Sequence, residues 1–458
     1  MSNPGDADDT PIASVQQLAD YIAGGCKPPS EYRIGTEHEK FGFGRESFRP
    51  PPYEPDGIRA LLERMAQPGL WEPIVENGGP IGLKGIGPAR SASVSLEPAG
   101  QLELSGGLVR TLHETKAELD AHFAHVRAAA EKLGIGFAPL GFHPTMRRDE
   151  MPWMPKGRYA IMRRYMPTKG QLGLDMMTRT CTVQVNLDYS SEQDMARKLR
   201  VSLALQPVAT ALFANSPFIE GKPSGFLSSR ARVWTDTDPD RTGMPALMFQ
   251  DGFGFDRYVE WLLDVPMYFV LRGKTYHDVA GGSFRSFMRK GRNSLPGVTA
   301  TVGDFADHMT TVFTDVRLKR FLEMRGADAG RPEMMLAQSA LWTGLLYDDA
   351  ALAAADSLVR THPWQDYAVL RATVPRLALD APWQGGTVRE LARDMVTIAA
   401  DGLRARGETG PDGQDERVYL LPLYPMVEGG LTQAEGWLNR YNTVWNGDVS
   451  SIFLESAI

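Results

Sequence analysis

Between Arg33 and Phe43 the chain reads RIGTEHEKFGF. Its alternation predicts a β-strand, and in a strand residues i and i+2 point to the same face. Glu37 and Glu39 therefore share one face. Two neighbouring carboxylates repel, and burying them is costly unless something positive compensates. A fold built on this strand has to bring a cation to that face.

Three other stretches repeat the pattern. In SVSLEPAGQLELS, two strands flank a Pro-Ala-Gly turn. Glu97 ends the first. Gln101, Glu103 and Ser105 share a face of the second, with Leu102 and Leu104 on the other. If Glu97 lies opposite Gln101, Glu103 is its diagonal neighbour. In TVQVNLDY, Val183, Val185 and Leu187 form an apolar face against Thr182, Gln184 and Asn186. In FLEMRGAD, Glu323 and Arg325 oppose Leu322 and Met324. Carboxylates with amide oxygens beside them suit a hard divalent cation. Mg²⁺ wants oxygen ligands and bridges substrate phosphates, so the pattern points to an enzyme using a nucleotide.

Each element also has a plainer reading. Paired glutamates occur on solvated strand faces, and Glu323 with Arg325 can be a structural ion pair. The glycine-rich GPIGLKGIG, with Lys84, can cradle phosphate or simply turn a hairpin. Arg158, Arg163, Arg164, Arg230 and Arg232 can grip a carboxylate or phosphate bidentately, or lie on the surface. There is no GxxxxGK[ST], no GxGxxG between strand and helix, no HExxH and no GxSxG.

The wider chain sets limits. A net charge of −7 with no basic run disfavours nucleic acid. The two cysteines, Cys26 and Cys181, exclude a disulfide scaffold and suit a reducing, cytoplasmic setting. No signal peptide and no apolar run long enough for a membrane helix is visible. Residues 1–13 read as a disordered tail and 14–458 as one catalytic domain. Ser14 with Gln17 caps a short helix, residues 115–133 form a long one, and Ser190 with Gln193 opens another to about 214. Strands gather in the first half and helices in the second, which predicts an α+β fold.

Taken together, RIGTEHEKFGF, VSLEPAGQLELSG, GLDMMTRTCTVQVNLD, LQPVATALFANSPF, WTDTDPDRTGM and RLKRFLEMRGADAG resemble plant-type glutamate–cysteine ligase, a branch also found in proteobacteria. The resemblance spans about residues 14–458. It implies a curved antiparallel sheet, a funnel related to the glutamine-synthetase catalytic fold, surrounded by helices. It also implies the chemistry: ATP phosphorylates the γ-carboxylate of L-glutamate, and the amine of L-cysteine displaces phosphate to give γ-glutamylcysteine. This is the first step of glutathione synthesis.

The resemblance assigns roles residue by residue. Glu37, Glu39, Glu97, Glu103, Gln184 and Glu323 would bind magnesium. Arg325 would meet phosphate, with Lys84 a second phosphate contact. Arg230 would hold substrate carboxylate, helped by Arg158 and Arg163, and Trp234 and Tyr268 would wall the pocket, with packing as the competing reading for that pair. Partners are then small molecules, and the chain is a monomer or homodimer. Plant members carry regulatory cysteines where this chain has Lys116, Val279, Ser294 and Leu336, so a plant-like redox switch is not expected. A γ-glutamyl ligase with another amine acceptor is the alternative.

Overall fold

The computed structural model describes residues 8–289, 295 and 297–458. Its centre is a nine-stranded sheet. The strands are β1 (Ile34–Gly44), β2 (Trp71–Glu76), β3 (Gly79–Gly85), β4 (Ser93–Leu96), β5 (Leu102–Ser105), β6 (Ile135–Ala138), β7 (Thr182–Leu187), β8 (Val316–Leu318) and β9 (Leu322–Asp328). They run in the order β8-β9-β7-β1-β5-β4-β3-β2, and β6 pairs with the far end of β1. Every ladder in this sheet is antiparallel. The expected α+β class and antiparallel sheet are both present.

The sheet has two unlike faces. On one, Leu83, Val94, Leu96, Leu102 and Leu104 pack on the helices Ile58–Ala66 and Leu112–Glu131. Val185, Leu187, Leu322 and Met324 continue that face into the main core, beneath the helices Glu192–Leu212 and Pro332–Leu346. Each fully buried leucine here contributes about 2 kcal/mol of apolar burial. A one-residue slip would turn that whole set outward, so the core side locks the register. The locked register in turn places every polar residue of the same strands on the opposite face.

Local signals explain most helix starts. Ser14 accepts from Gln17 N at 3.2 Å, and Thr111 and Glu114 form a reciprocal capping box. The helix Glu192–Leu212 opens one residue later than expected. Ser191 is its cap, and Asp194, not Gln193, reaches back to the Ser190 N–H at 2.8 Å. The helices Gly157–Tyr165, Gly173–Arg179 and Ser229–Val233 are too short to show a period in sequence. They stand over the polar face.

The expected disordered tail is corrected for residues 8–13. Ile12 N donates to Ala300 O at 3.0 Å, and Val302 N donates to Thr10 O at 2.9 Å. These backbone bonds hold the segment against the start of the helix Val302–Thr310. Residues 1–7 and Ser294 lie outside the described residues. No described helix is long and apolar enough to cross a membrane.

Candidate active site

The acidic pattern converges as its spacing predicts. Glu39 stands directly opposite Glu103 across β1 and β5, and Glu37 lies between Ser105 and Gln184. Glu97 N donates to Gln101 O at 2.9 Å, so Glu97 is the diagonal neighbour of Glu103. The turn between them closes through Gly100, whose φ of +85° favours a residue without a Cβ.

Three of these carboxylates are fixed by a donor from a neighbouring strand. Thr182 N donates to Glu39 Oε2 at 2.8 Å. Ser95 Oγ donates to Glu103 Oε2 at 2.6 Å, and Asn186 Nδ2 to Glu37 Oε1 at 2.8 Å. Burial, then the charges of Glu97 and Glu103, push the Glu39 carboxyl well above the usual carboxylate range, against the pull of Arg230. The face therefore gains from an added cation.

The cationic half of the site comes from β8 and β9. The β9–β7 ladder slips by one residue between Met324 and Ala327, a bulge that redirects the strand at Arg325 and Gly326. Arg325 donates to Glu323 Oε2 at 2.7 Å and to Gln184 Oε1. Glu323 is fully buried, 2.6 Å from Arg317 on Oε2 and 2.9 Å from Lys319 on Oε1. Burial alone would raise its carboxyl, but Arg317, Lys319 and Arg325 hold it well below the usual range. The structure thus gives both Glu323 oxygens to cations. In this arrangement Glu323 anchors those cations.

A cleft lies over the polar face. Glu39, Glu97, Glu103 and Gln184 line it on the acidic side. Arg158, Arg230, Arg325 and Trp234 line it on the other. Arg230 is 3 % exposed and donates to Arg325 O at 2.8 Å.

Three expected site residues lie elsewhere. Lys84 is exposed on β3, paired with Glu72 and Ser93, on the row of the sheet that leads through Ser105 to Glu37. It is three strands from Glu37, roughly 14 Å at the usual strand spacing. Arg163 is exposed and stacks on Trp153 at 4.4 Å. It leaves the cleft because the helical turn that aims Arg158 inward points Arg163 out. Tyr268 is buried beneath Arg241, whose guanidinium lies 3.9 Å from its ring centre, so packing is its role. Glu37 sits beside the lining residues and reaches the site through Gln184 and Asn186.

Sequence reasoning missed Arg317, which lines the cleft and faces Glu323 across the β8–β9 hairpin. The signal was present in RLKRFLEMR, where a three-residue loop over Lys319–Phe321 pairs the two. It also missed Met162, Met176 and Met177, which with Phe269 and Phe313 give the cleft a soft apolar wall. Those methionines lie on short helices with no readable period.

The donor set is suited to Mg²⁺. Among the described residues no three His, Cys, Asp or Glu side chains form a ready cage. Magnesium does not need one, since it keeps waters and is held by one or two carboxylates plus substrate phosphates. The Glu39–Glu103 pair with Glu97 beside it offers hard oxygens on one face, with the Glu39 carboxyl raised in pKa by burial and then by its acidic neighbours.

Residues 33–455 match the family model described as glutamate–cysteine ligase family 2. The chain belongs to that family. The match opens at Arg33, the first residue of the carboxylate stretch. Among ligases of this name, the chain is similar to chloroplastic glutamate–cysteine ligase B of Oryza sativa subsp. japonica, at 49 % identity over 440 residues, 96 % of this chain and 86 % of that one. It is similar to the chloroplastic glutamate–cysteine ligase of Arabidopsis thaliana at 50 % identity, over 96 % of this chain and 82 % of that one. The fold is shared with a glutamate–cysteine ligase of Francisella tularensis solved in complex with AMP. That likeness has a TM-score of 0.58 at 10 % identity, over 93 % of this chain and 87 % of the other.

Proposed function

We propose that the protein joins the γ-carboxylate of L-glutamate to the amine of L-cysteine through a γ-glutamyl phosphate, using ATP and releasing ADP and phosphate. The observation that carries this reading is the two-sided cleft. Three glutamates face Arg158, Arg230, Arg317 and Arg325 across one space in a chain of this family.

Phosphoryl transfer asks the protein mainly for position and charge. Glu39, Glu97 and Glu103, with Glu37 and Gln184 beside them, would hold Mg²⁺, which when bound neutralises charge on the transferring phosphates. Arg325 is braced by Glu323 and Gln184, so its guanidinium is aimed before any phosphate arrives. Arg230 and Arg158 are the candidates for the substrate carboxylate, where a planar fork gives geometry as well as charge. The methionine and phenylalanine wall excludes water, which an acyl phosphate requires.

We place the enzyme in the cytoplasm, as a monomer or homodimer. The test is ADP release by the purified protein with ATP, Mg²⁺ and L-glutamate, with and without L-cysteine, alongside mass detection of γ-glutamylcysteine. Cysteine-dependent ADP release with the dipeptide supports the reading. Release that follows another amine changes the acceptor, and none with any amine in folded protein overturns the ligase.

A further inference from the structure

The peptide that joins Leu96 to Glu97 is held at both ends. A trans peptide is planar, and its N–H and C=O point opposite ways. The N–H, that of Glu97, donates to Gln101 O at 2.9 Å within the turn to β5. The C=O, that of Leu96, accepts from Lys156 Nζ at 2.9 Å and from Tyr159 Oη at 2.6 Å. A carbonyl oxygen has two lone pairs, and here two side-chain donors fill them. The clamp is itself anchored. Met154 N donates to Pro98 O at 2.8 Å, and Gly157 N donates to Glu76 Oε1 at 2.5 Å where the helix Gly157–Tyr165 begins.

Packing does not ask for either polar end. Lys156 and Tyr159 are both buried. A buried ammonium is costly, and an apolar side chain of similar volume would fill that place at less cost. The Tyr159 ring packs with Ile161, Met166 and Met177, where a phenylalanine ring would pack as well. What the two polar ends add is direction for the next residue. Glu97 is the first residue past β4, in the turn, while Glu39 and Glu103 lie within paired strands. Its carboxylate lines the cleft with less of the ladder to hold it. We infer that Lys156 and Tyr159 are positioning residues for Glu97, fixing through the Leu96 carbonyl the direction in which that carboxylate enters the cleft. The inference rests on the ligase reading given above and deepens it, since Glu97 acts there toward Mg²⁺.

The test is Mn²⁺ binding in the presence of a non-hydrolysable ATP analogue, followed by the electron paramagnetic resonance of the free ion, which needs no turnover. Lys156→Met and Tyr159→Phe each remove one of the two donors and leave the other. Each should weaken Mn²⁺ about tenfold, the scale of losing a group that orients a metal ligand. Lys156→Met should do so with no fall in its urea midpoint at pH 6, a combination that loss of folding does not produce. Tyr159→Phe stays informative where Lys156→Met does not fold. In a Glu97→Gln background, which lacks the carboxylate, Lys156→Met should shift the Mn²⁺ constant by less than about twofold, because coupled residues are not additive. Unchanged Mn²⁺ binding in both single variants, or the same tenfold loss in the Glu97→Gln background, overturns the assignment. Absence of ligation by the unaltered protein would defeat the ligase reading itself, a result distinct from either.

Discussion

Glu39 and Glu103 face each other across an antiparallel ladder with no residue between them. That pairing is unfavourable by itself, since like charges directly opposite on a sheet repel. The fold nonetheless keeps Glu39 at 9 % exposure and Glu103 at 1 %. The leucines on the far face set the register that forces them together, so the strain of the acidic face is held by the core beneath it.

Glu39→Gln should therefore separate stability from activity. It removes one charge from the crowded face while keeping shape and an acceptor for the Thr182 N–H. We expect kcat/KM to fall by about 100-fold or more, the scale of losing one electrostatic stabiliser. Thermal unfolding without metal should move up, not down, and the rise in melting temperature produced by Mg²⁺ with ATP should shrink. Full activity in this variant would remove Glu39 from the site.

Glu323→Gln should do the opposite. Its carboxylate is the common partner of Arg317, Lys319 and Arg325, and Arg317 and Lys319 are themselves nearly fully buried. Breaking a buried ion pair on one side costs about 3–5 kcal/mol. We expect a large loss in urea unfolding free energy together with a loss of kcat. If Glu323 served a metal instead, the loss would lie in Mg²⁺ dependence with little change in stability.

Arg163→Ala and Lys84→Ala test the two corrections made by the fold. Both side chains are exposed, one on Trp153 and one near the sheet edge. Each variant should keep kcat/KM within about twofold of the unaltered enzyme. Arg158→Ala, five residues before Arg163 on the same helix and inside the cleft, should lose far more.

The strands were legible in sequence because their two faces differ in chemistry. Alternation in RIGTEHEKFGF, QLELS and TVQVNL placed Glu37, Glu39, Glu103 and Gln184 on the correct side, and the register then brought them together. What stayed hidden depends on helices of a turn or two and on contacts far apart in the chain. Arg163 looked equivalent to Arg158 because no period over Gly157–Tyr165 shows which side faces the sheet. The cationic shell of Glu323 was hidden as well, because Arg317 and Lys319 come from a preceding strand and turn and only folding brings them to its oxygens.

Lys156 gives a prediction in pH. It is 5 % exposed, and Nζ donates to Leu96 O at 2.9 Å, just before Glu97. Burial, then the nearby Arg158, lowers its pKa to about 7. The unfolded chain holds this proton up to the ordinary lysine range, so between about pH 7 and that range the unfolded state binds more protons. Stability must then rise as pH increases through this window, and burying the charge counts against the fold below it. Lys156→Met removes the titration. The Leu96 carbonyl keeps its bond from Tyr159 Oη at 2.6 Å, so no buried acceptor is orphaned. We expect the variant to gain most over the unaltered protein below pH 7, by an amount on the order of a few kcal/mol, and to lose that advantage toward pH 10. Urea unfolding at pH 6 and pH 9.5 measures both ends. A stability difference that does not change between them would mean that Lys156 stays charged in the folded protein, held so by Glu97 and Glu103.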